Sequence, residues 1–352
     1  MKEIQLDSRK KIKNNAEPYI IAEIGANHNG DMELAKKMII SAKEAGADCV
    51  KFQSWTPKSL IAKEEYERNQ VYNDSKKKHF GSLEEMVKKY ALTNEQHKEL
   101  KNFCDDNQIT FASSPFSKAE ARLLNDLDVP FFKIASMDIN YLDFIQDVAA
   151  YQKPMIISTG MADLAEIQRA VDACLKVGNE RIILLHCISI YPPKYEDIHL
   201  NNISMLQKAF GLPVGFSDHT IGVSIPLASV ALGSCLIEKH FTIDKDLPGW
   251  DHEISADPLE MKTICSESKN IVNSLGSFER TVSEAELEKR KKFRRSLVVN
   301  GDLKKGHRLT EDDLTAKRPG TKIAPDEMKY VVGRTLNQDI EEDGLISWDM
   351  LN

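Results

Sequence analysis

The sequence has 352 residues, of which 41% are hydrophobic and 29% charged, as is ordinary for a folded globular protein. Its formal net charge of −7 predicts no broad basic surface and argues against nucleic acid as a partner. No stretch approaches the roughly 20 apolar residues of a membrane span, and residues 1–15 lack the apolar core of a signal peptide. The six cysteines are scattered without a C-x-x-C pair, so we expect reduced thiols in a cytoplasmic protein.

Eight short apolar runs recur along the chain up to residue 241. They are rich in Ile, Val and Phe and lack clean polar alternation, which is typical of strands buried on both faces of a parallel sheet. We therefore predict eight parallel strands. The runs are YIIAEIG (19–25) and residues 48–53, 109–116, 131–136, 154–160, 181–187, 213–219 and 235–241.

One helix-like segment lies between most of these runs. In residues 31–47 the apolar residues recur at helical spacing, and Gly46 stands where a helix would stop. Eight strand–helix units in about 270 residues predict an α/β fold, a (β/α)8 TIM barrel. An open doubly wound sheet is the alternative, and the absence of a dinucleotide-type glycine-rich turn argues against it. The other helices are predicted at 95–107, 118–127, 140–150, 162–176, 200–210, 221–233 and 258–275.

Two regions depart from this repeat. Residues 54–94 form a long, mostly polar insertion after the second run, which is either a substrate lid on the catalytic face or a mobile surface excursion. Residues 279–293 are highly charged, and short strand-like runs with glycine-containing turns follow them. The sequence therefore predicts a barrel domain over 1–280, a linker over 281–293 and a small β-rich domain over 294–352.

Polar and charged residues gather where the predicted strands end, which is where TIM-barrel active sites lie. A single lysine there is usually solvated, and a single histidine is usually a hydrogen-bonded core residue. Their coincidence at eight strand ends favours a functional site, because buried lysines and glutamates need partners or ligands. The residues include Glu23, Asn27, His28, Lys51, Gln53, Ser114, Lys133, Ser136, Asp138, Ser158, His186, Ser189, Tyr191, Ser217, Asp218, His219, Glu238, Lys239 and His240.

The chemistry of this set predicts a site for a small anion. Lys51 and Lys133 supply two positive charges that suit a phosphate and a carboxylate on one substrate. His219 and His240 end neighbouring strands, so two imidazoles there can bind one divalent metal and leave coordination positions open. The candidate acid and base groups are Glu23, Asp138, Glu238 and Asp251.

The segments around these residues resemble the sialic acid (N-acetylneuraminate) synthases, which join a TIM barrel to a C-terminal antifreeze-like domain. The resemblance runs from Ile20 to about Leu351 and is specific because the segments occur in this order. They are IIAEIGANHNGD, AGADCVKFQ, ASSPF, FFKIAS, IISTGM, LLHCISIYPP, GFSDHT, IEKHFT and AKRPG.

The resemblance implies a metal-dependent enzyme that condenses phosphoenolpyruvate with an open-chain N-acylmannosamine-type aldehyde and water. The products would be phosphate and a nine-carbon nonulosonic acid, with N-acetylneuraminate as the first expectation. A 2,4-diacetamido-trideoxy hexose that gives a legionaminic- or pseudaminic-type acid is the alternative acceptor. The insertion 54–94 and residues 246–255 are expected to line the sugar pocket.

The resemblance also assigns individual residues. The metal ligands fall on His219 and His240, and imidazole ligands favour Mn or Co over Mg. Arg318 of the antifreeze-like domain is implied to reach the active site of a partner subunit, so a domain-swapped homodimer is expected. Sugar contacts fall on Gln53, Tyr191 and Asp251, and phosphoenolpyruvate contacts on Lys51, Ser114, Lys133, Ser136, Ser158, Ser189 and Ser217.

Two positions depart from the family pattern. Members commonly have glutamate where Asp138 stands, and many have asparagine where Ser189 stands. Asp138 retains the acid but retracts it by one methylene, so either a water fills the gap or Glu23 takes the role of base. Lys133 is expected to stabilise charge that develops in the transition state.

Three other functions fit parts of this pattern. A phosphoenolpyruvate-dependent synthase of seven- or eight-carbon keto acids would not need the C-terminal domain with Arg318. A non-catalytic protein that binds sugars or ice would not need two lysines and two histidines at strand ends. A catalytically inactive homologue is favoured only by the shortened Asp138.

Overall fold

The computed structural model describes residues 3–71 and 81–352, so part of the predicted insertion, residues 72–80, lies outside the described residues. The chain divides into two compact units, Met1–Gly276 and Ser277–Asn352. None of the helices in the described ranges combines the length and the apolar character that a bilayer crossing requires.

The first unit begins with a feature that the sequence analysis did not predict. A short antiparallel hairpin, β1 (Ile4–Gln5) and β2 (Lys11–Ile12), precedes the eight predicted runs. Those runs supply eight strands, each within about three residues of its predicted ends. The strands are β3 (Tyr19–Gly25), β4 (Cys49–Ser54), β5 (Thr110–Pro115), β6 (Phe132–Ile134), β7 (Met155–Ser158), β8 (Ile182–Cys187), β9 (Val214–Asp218) and β10 (Leu236–His240).

These eight strands form one parallel sheet in the order β5-β4-β3-β10-β9-β8-β7-β6. The two strands at the ends of that order, β5 and β6, also contact each other, so the sheet curls into a nearly closed barrel. The predicted (β/α)8 barrel is therefore confirmed, and the open doubly wound sheet is excluded.

Helices of the first unit surround this barrel. The first one begins after Asp31, whose carboxylate accepts hydrogen bonds from Glu33 N and Leu34 N, and it ends at Gly46, where φ is 95°. In chain order the helices are α1 (Met32–Ala45), α2 (Pro57–Leu60), α3 (Lys63–Arg68), α4 (Leu83–Tyr90), α5 (Asn94–Asp106), α6 (Lys118–Asp126), α7 (Leu142–Ala149), α8 (Leu164–Lys176), α9 (Asn202–Phe210), α10 (Ser224–Ala231) and α11 (Pro258–Leu275).

The described part of the insertion, which contains α2, α3 and α4, is folded around its own apolar cluster. Trp55 is 3% exposed, and its indole N–H donates to the carbonyl of Val87 over 3.3 Å. The ring of Trp55 meets Trp250 edge to face at 6.1 Å and Phe116 at 5.9 Å. The insertion is therefore joined to the loops that follow β5 and β10.

The barrel strands are apolar on both faces, which explains why their sequences do not alternate. On β3, Ile20 and Ile24 pack outward against helices, while Tyr19 and Ile21 point into the barrel. The lower interior is filled by such inward residues, and the hairpin β1–β2 closes the bottom with Ile4, Leu6 and Ile12. The upper interior is polar.

The second unit has its own core and a small antiparallel sheet. Its strands β11 (Ser296–Val299) and β12 (Leu314–Lys317) pair along their whole length, and its helices are α12 (Glu284–Phe293) and α13 (Met328–Val331). Helix α12 lies in the predicted linker and has no buried residue. The core contains Leu297, Val299, Leu309, Leu314, Ile323, Val331, Leu336, Ile340, Ile346 and Leu351.

Candidate active site

A cavity of about 460 Å³ lies at the carboxyl ends of the barrel strands, within the size range of small-ligand sites. It brings together nearly all of the residues that the sequence analysis assigned to the barrel's site. Those that line it are Glu23, Lys51, Gln53, Ser114, Lys133, Ser136, Ser158, Ser189, Tyr191, Ser217, His219, Glu238, His240 and Asp251.

Strand register places the charged residues side by side. Glu23 of β3 is paired in register with Lys51 of β4 on one side and with His240 of β10 on the other. Glu238 pairs with Ser217 of β9, and Lys51 is two residues from Gln53, so both point inward. The pleat and the parallel register therefore convert separate sequence positions into one polar layer.

Two lysines and two glutamates form a buried network at the floor of the cavity. Lys51 Nζ lies 2.6 Å from Glu23 Oε2 and 3.7 Å from Glu238 Oε2. Lys133 Nζ lies 3.1 Å from Glu238 Oε1, which also accepts a hydrogen bond from Ser217 Oγ over 3.0 Å. Glu238 therefore holds both lysines, a role that sequence reasoning did not give it.

The two glutamates of this network differ in acidity. Burial by itself would raise the pKa of Glu238, but the ammonium groups of Lys133 and Lys51 lower it to about 2. Burial raises the pKa of Glu23, and although Lys51 opposes this, the neighbouring Glu238 carboxylate adds to the rise. Glu238 therefore stays ionised. The pKa of Glu23 is raised in the direction of pH 7, which is the direction that suits a general base.

Serine hydroxyl groups line the cavity wall beside the two lysines. Lys51 Nζ donates to Ser114 Oγ over 3.0 Å, and Gly160 N donates to Ser136 Oγ over 3.2 Å. A methyl group at Gly160 would lie 2.3 Å from Ser189 Oγ and 2.7 Å from Ser136 Oγ, so glycine is required where these hydroxyls converge. Ser158 Oγ is buried without a protein partner. This wall offers donors to an anion that the two lysines attract.

His219, His240 and Tyr191 form a further cluster of the cavity wall, and Cys187 lies between His219 and Ser136. The two imidazole centroids are 5.4 Å apart, and the Tyr191 ring lies 4.1 Å from His219. His219 Nδ1 donates to the carbonyl of Ile188 over 2.7 Å, which leaves Nε2 as the lone-pair nitrogen of the neutral ring. Burial, followed by His219 and Lys51, lowers the pKa of His240 well below its ordinary value, and its Nδ1 is buried without a hydrogen bond.

This donor set fits a divalent metal only in part. Two neutral imidazoles suit a transition metal, but although burial lowers the pKa of His219, its hydrogen bond with Cys187 and the charge of that thiol raise it overall. Asp251 Oδ2 lies 3.6 Å from His240 Nδ1. Among residues 3–71 and 81–352, however, no group of three or more His, Cys, Asp or Glu side chains has the geometry of a metal site. The imidazole nitrogens of His219 and His240 are thus the nitrogen donors that this part of the cavity could offer to a metal.

Asp138 does not line the cavity, although Met137 beside it does. Burial, together with the carboxylate of Glu120, raises the pKa of Asp138 to about 6, and its Oδ2 is buried without a partner. Glu120 Oε2 accepts a hydrogen bond from Phe116 N over 2.9 Å behind the cavity wall. Of the two carboxyls proposed as base, only Glu23 therefore faces the cavity.

Arg318 belongs to the second unit. Its side chain is exposed, and its guanidinium carbon lies 5.1 Å from the centroid of the Phe293 ring. Within the barrel, five other predicted strand-end residues do not line the cavity either, namely Asn27, His28, His186, Asp218 and Lys239. Asp218 and Lys239 form a buried ion pair of 2.7 Å.

Several wall residues were not assigned to the site from the sequence. Cys187 lies between Leu185 and Ser189 at the inward spacing of two, so strand periodicity would have identified it. Burial raises the pKa of its thiol, but the adjacent His219 lowers it overall. The apolar wall carries no polar signal in the sequence, and it consists of Phe116, Ala135, Met137, Met161 and Trp250, with Gly249 beside it.

The chain is similar to known proteins over nearly its whole length. The NeuB family matches residues 38–280, and the SAF domain matches residues 294–352. The N,N'-diacetyllegionaminic acid synthase of Campylobacter jejuni is 41% identical over 93% of this chain and 98% of its own length. The synthase of the same name from Legionella pneumophila is 40% identical over 94% of each chain.

Among solved structures, the crystal structure of the N-acetylneuraminic acid synthetase from Leptospira borgpetersenii, in complex with citrate, superposes with a TM-score of 0.73. It is 33% identical in sequence, and the match covers 82% of this chain and 95% of that one.

Proposed function

Because the chain belongs to the NeuB family, we propose that it condenses phosphoenolpyruvate with the open-chain form of a 2,4-diacetamido-trideoxy hexose. The products are phosphate and a legionaminic-type nonulosonic acid. The observation that carries this proposal is the pair of buried lysines, Lys51 and Lys133, at the floor of a cavity with hydroxyl-lined walls. Two cations held in one small site suit a substrate with both a phosphate and a carboxylate.

The choice of acceptor rests on two observations. Relatives at 40% and 41% identity are named as diacetyllegionaminic acid synthases. The wall contributed by Phe116, Met161 and Trp250 is apolar, which suits the methyl groups of a 6-deoxy sugar with two acetamido groups. N-acetylmannosamine, which would give N-acetylneuraminate, is the second candidate, because the Leptospira protein at 33% identity is named for that product.

Different residues of the cavity have different roles in the proposed reaction. Lys51 and Lys133 neutralise the phosphate and carboxylate, and the hydroxyls of Ser136, Ser158 and Ser189 add hydrogen bonds. The methylene carbon of phosphoenolpyruvate attacks the aldehyde carbon of the sugar, and the aldehyde oxygen takes up a proton from solvent water. Water adds to the cationic carbon that results, and Glu23 takes the proton from that water. The tetrahedral product then expels phosphate.

His219 and His240 are the residues that would hold a divalent metal, and manganese or cobalt suits their nitrogens better than magnesium does. When bound, such a metal supplies Lewis-acid polarisation of a substrate oxygen. The unpartnered Nδ1 of His240 supports this assignment.

We also propose a domain-swapped homodimer of this cytoplasmic enzyme, in which Arg318 of one chain enters the barrel cavity of its partner. The exposure of Arg318 and an apolar rim on the loops after β6, β7, β8 and β9 support it. Exposed side chains of that rim include Met137, Tyr141, Met161, Ile190, Tyr195 and Ile221. The domain boundaries in this proposal are 1–280 and 294–352, joined by the linker 281–293.

A substrate panel tests the proposed reaction. Phosphoenolpyruvate is supplied with 2,4-diacetamido-2,4,6-trideoxymannose, with N-acetylmannosamine or with N-acetylmannosamine 6-phosphate, and phosphate release and product mass are measured. We expect the highest kcat/KM for the diacetamido sugar. A higher value for N-acetylmannosamine would establish the second candidate, and no phosphate release with any sugar and any of Mn, Co or Mg would refute the proposal.

The metal assignment is tested with His219→Ala. We expect the variant to lose the activity that added manganese or cobalt restores to chelator-treated wild type, because one of two nitrogen ligands is gone. His199→Ala, at an exposed position, is the matched control and should respond to metal as the wild type does. Full metal-stimulated turnover by His219→Ala would remove this residue from the site.

A further inference from the structure

The loop between β10 and α11 carries Gly249, Trp250 and Asp251 into the cavity wall. A backbone hydrogen bond between Thr242 and Ala256 holds the two ends of the loop, and it contains a short 3₁₀ helix, His252–Ile254, but residues 243–250 lie in no helix or strand. Trp250 therefore depends on contacts with neighbouring segments, while Asp251 is also held by Ser255, which donates to its carbonyl. The first of these contacts comes from the turn that follows β3.

Asn29, in that turn, makes two side-chain hydrogen bonds to the loop. Its Nδ2 donates to the carbonyl of Pro248 over 2.6 Å, and its Oδ1 lies 3.4 Å from His252 Nε2. These two partners stand on either side of Trp250 and Asp251 in the chain. A single asparagine side chain therefore bridges both ends of the segment that enters the cavity.

The chemistry of the partners fixes the direction of each bond. A carbonyl only accepts, so the Asn29 amide must turn its NH₂ group to Pro248 and its oxygen to His252. On the other side of the His252 ring, Nδ1 lies 2.7 Å from Thr242 Oγ1, which is also 3.0 Å from the carbonyl of Asp244, so the Thr242 hydroxyl can donate its single proton to only one of them. His252 is 1% exposed, and burial makes each of these bonds costly to lose.

The packing at Gly249 shows how closely the loop approaches this network. A methyl group there would lie 2.3 Å from His252 Cδ2 and 2.7 Å from Asn29 Oδ1. On the other side of the loop, Trp250 meets the ring of Trp55 edge to face. The loop is thus held between the Asn29–His252 contact and the aromatic cluster of the insertion.

Asn29 itself has a backbone φ of 55°, which asparagine tolerates better than most residues. The residue type at this position therefore meets two requirements, a left-handed turn and a side chain with both a donor and an acceptor. Glycine would meet the first requirement and not the second.

We propose that Asn29 is a positioning residue for the amino-sugar acceptor, which acts by holding Trp250 and Asp251 at the cavity wall. This inference rests on the proposed function in one respect, that the loop contacts the sugar rather than phosphoenolpyruvate. Lys51 and Lys133, which receive the phosphoenolpyruvate, lie on other strands and make no contact with Asn29 among the described interactions.

The test compares Asn29→Gly and Asn29→Asp with wild type. Asn29→Gly keeps the turn and removes both hydrogen bonds, so we expect the KM for the amino sugar to rise roughly tenfold while the KM for phosphoenolpyruvate stays within about twofold. Asn29→Asp keeps the acceptor for His252 and should give a smaller rise. Asn15→Gly, which also replaces an asparagine at positive φ (60°), is the matched control and should leave both KM values unchanged.

Amide hydrogen exchange of residues 244–252 in the substrate-free protein gives a readout that needs no catalysis. We expect exchange in Asn29→Gly to be roughly tenfold faster than in wild type or Asn15→Gly. Unchanged exchange, or equal rises of both KM values, would overturn the proposal. If the wild type turns over no sugar, the proposed function fails, and the exchange rates still decide whether Asn29 holds the loop.

Discussion

The lower and upper halves of the barrel interior are built from the same strands but have opposite character. On β3 the inward residues Tyr19 and Ile21 are apolar, and the next inward residue is Glu23. On β10, Leu236 is followed by Glu238 and His240 at the same spacing. Within one pleat repeat the interior changes from a packed core to a charged cavity, so one set of strands supplies both stability and chemistry.

This difference shows how the protein tolerates a costly site. Buried Glu23, Lys51, Lys133 and Glu238 must be desolvated, and their mutual attraction offsets that cost only while the network is complete. The lower half, closed by the β1–β2 hairpin, is largely apolar and stabilises the fold mainly by burial, with the Asp7 carboxylate and the Tyr19 hydroxyl as a polar contact at its base. Substitutions in the upper half should therefore abolish function, and those in the lower half should change stability with little effect on function.

The largest effect is expected for Lys133→Met in the upper half. Loss of the ammonium group that faces Glu238 and the substrate anion should lower kcat/KM at least about 1000-fold, or about 4 kcal/mol of transition-state stabilisation. It should also destabilise the fold by roughly 3–5 kcal/mol, because the Glu238 carboxylate loses its closest cation. Phosphate release and urea unfolding measure the two effects.

The double variant Lys133→Met/Glu238→Gln is the control for this prediction. It removes both charges, so stability should recover toward wild type while activity stays absent. Near-wild-type turnover of Lys133→Met would contradict the assigned role of the lysine.

The next effect in size is expected for Ile183→Ala in the lower half. Ile183 is fully buried inside the barrel, so its truncation leaves a cavity and should lower the free energy of unfolding by about 2–5 kcal/mol. At temperatures where the variant is folded, kcat/KM should stay within about twofold of wild type. A large loss of activity in the folded variant would show that the two halves are not separable.

The smallest effect is expected from Asp7 at the bottom of the barrel. Burial raises the pKa of Asp7, but its bonds with Tyr19 OH (2.6 Å) and Thr110 Oγ1 (2.8 Å), and with the Arg9 and Lys10 amides, lower it overall. Because the pKa of Asp7 is lower in the folded state than in the unfolded state, the ionised carboxylate stabilises the fold. This stabilisation is present above pH 3.8, the ordinary pKa of the group, and is lost as the pH falls through the pKa of the folded state.

Asp7→Asn should therefore be about 1–3 kcal/mol less stable than wild type at pH 7, and the difference should shrink as the pH falls below about 4. Urea unfolding of both proteins from pH 7 to pH 2.5 measures this. A difference that stays constant over that range would show that the carboxylate charge does not contribute.

Much of the fold followed from local patterns. The eight apolar runs and the caps at Asp31 and Gly46 depend only on neighbouring residues, so the strands and helices were predicted within a few positions. The hairpin β1–β2 was not predicted, because strands of two residues have no periodicity to detect. The helices of the insertion were also not predicted, although α4 has a detectable signal, since Leu83, Met86, Val87 and Tyr90 recur at helical spacing after the cap Ser82.

Within the candidate site, the sequence by itself determined which polar side chains are available and on which strand each lies, because barrel strands carry functional residues at their carboxyl ends. Only the tertiary structure decided which of them meet. Glu238 binds both lysines, Asp138 does not line the cavity, and Asp218 pairs with Lys239 outside it. These outcomes depend on register between strands distant in sequence and on the twist of the closing sheet, neither of which local residue patterns encode.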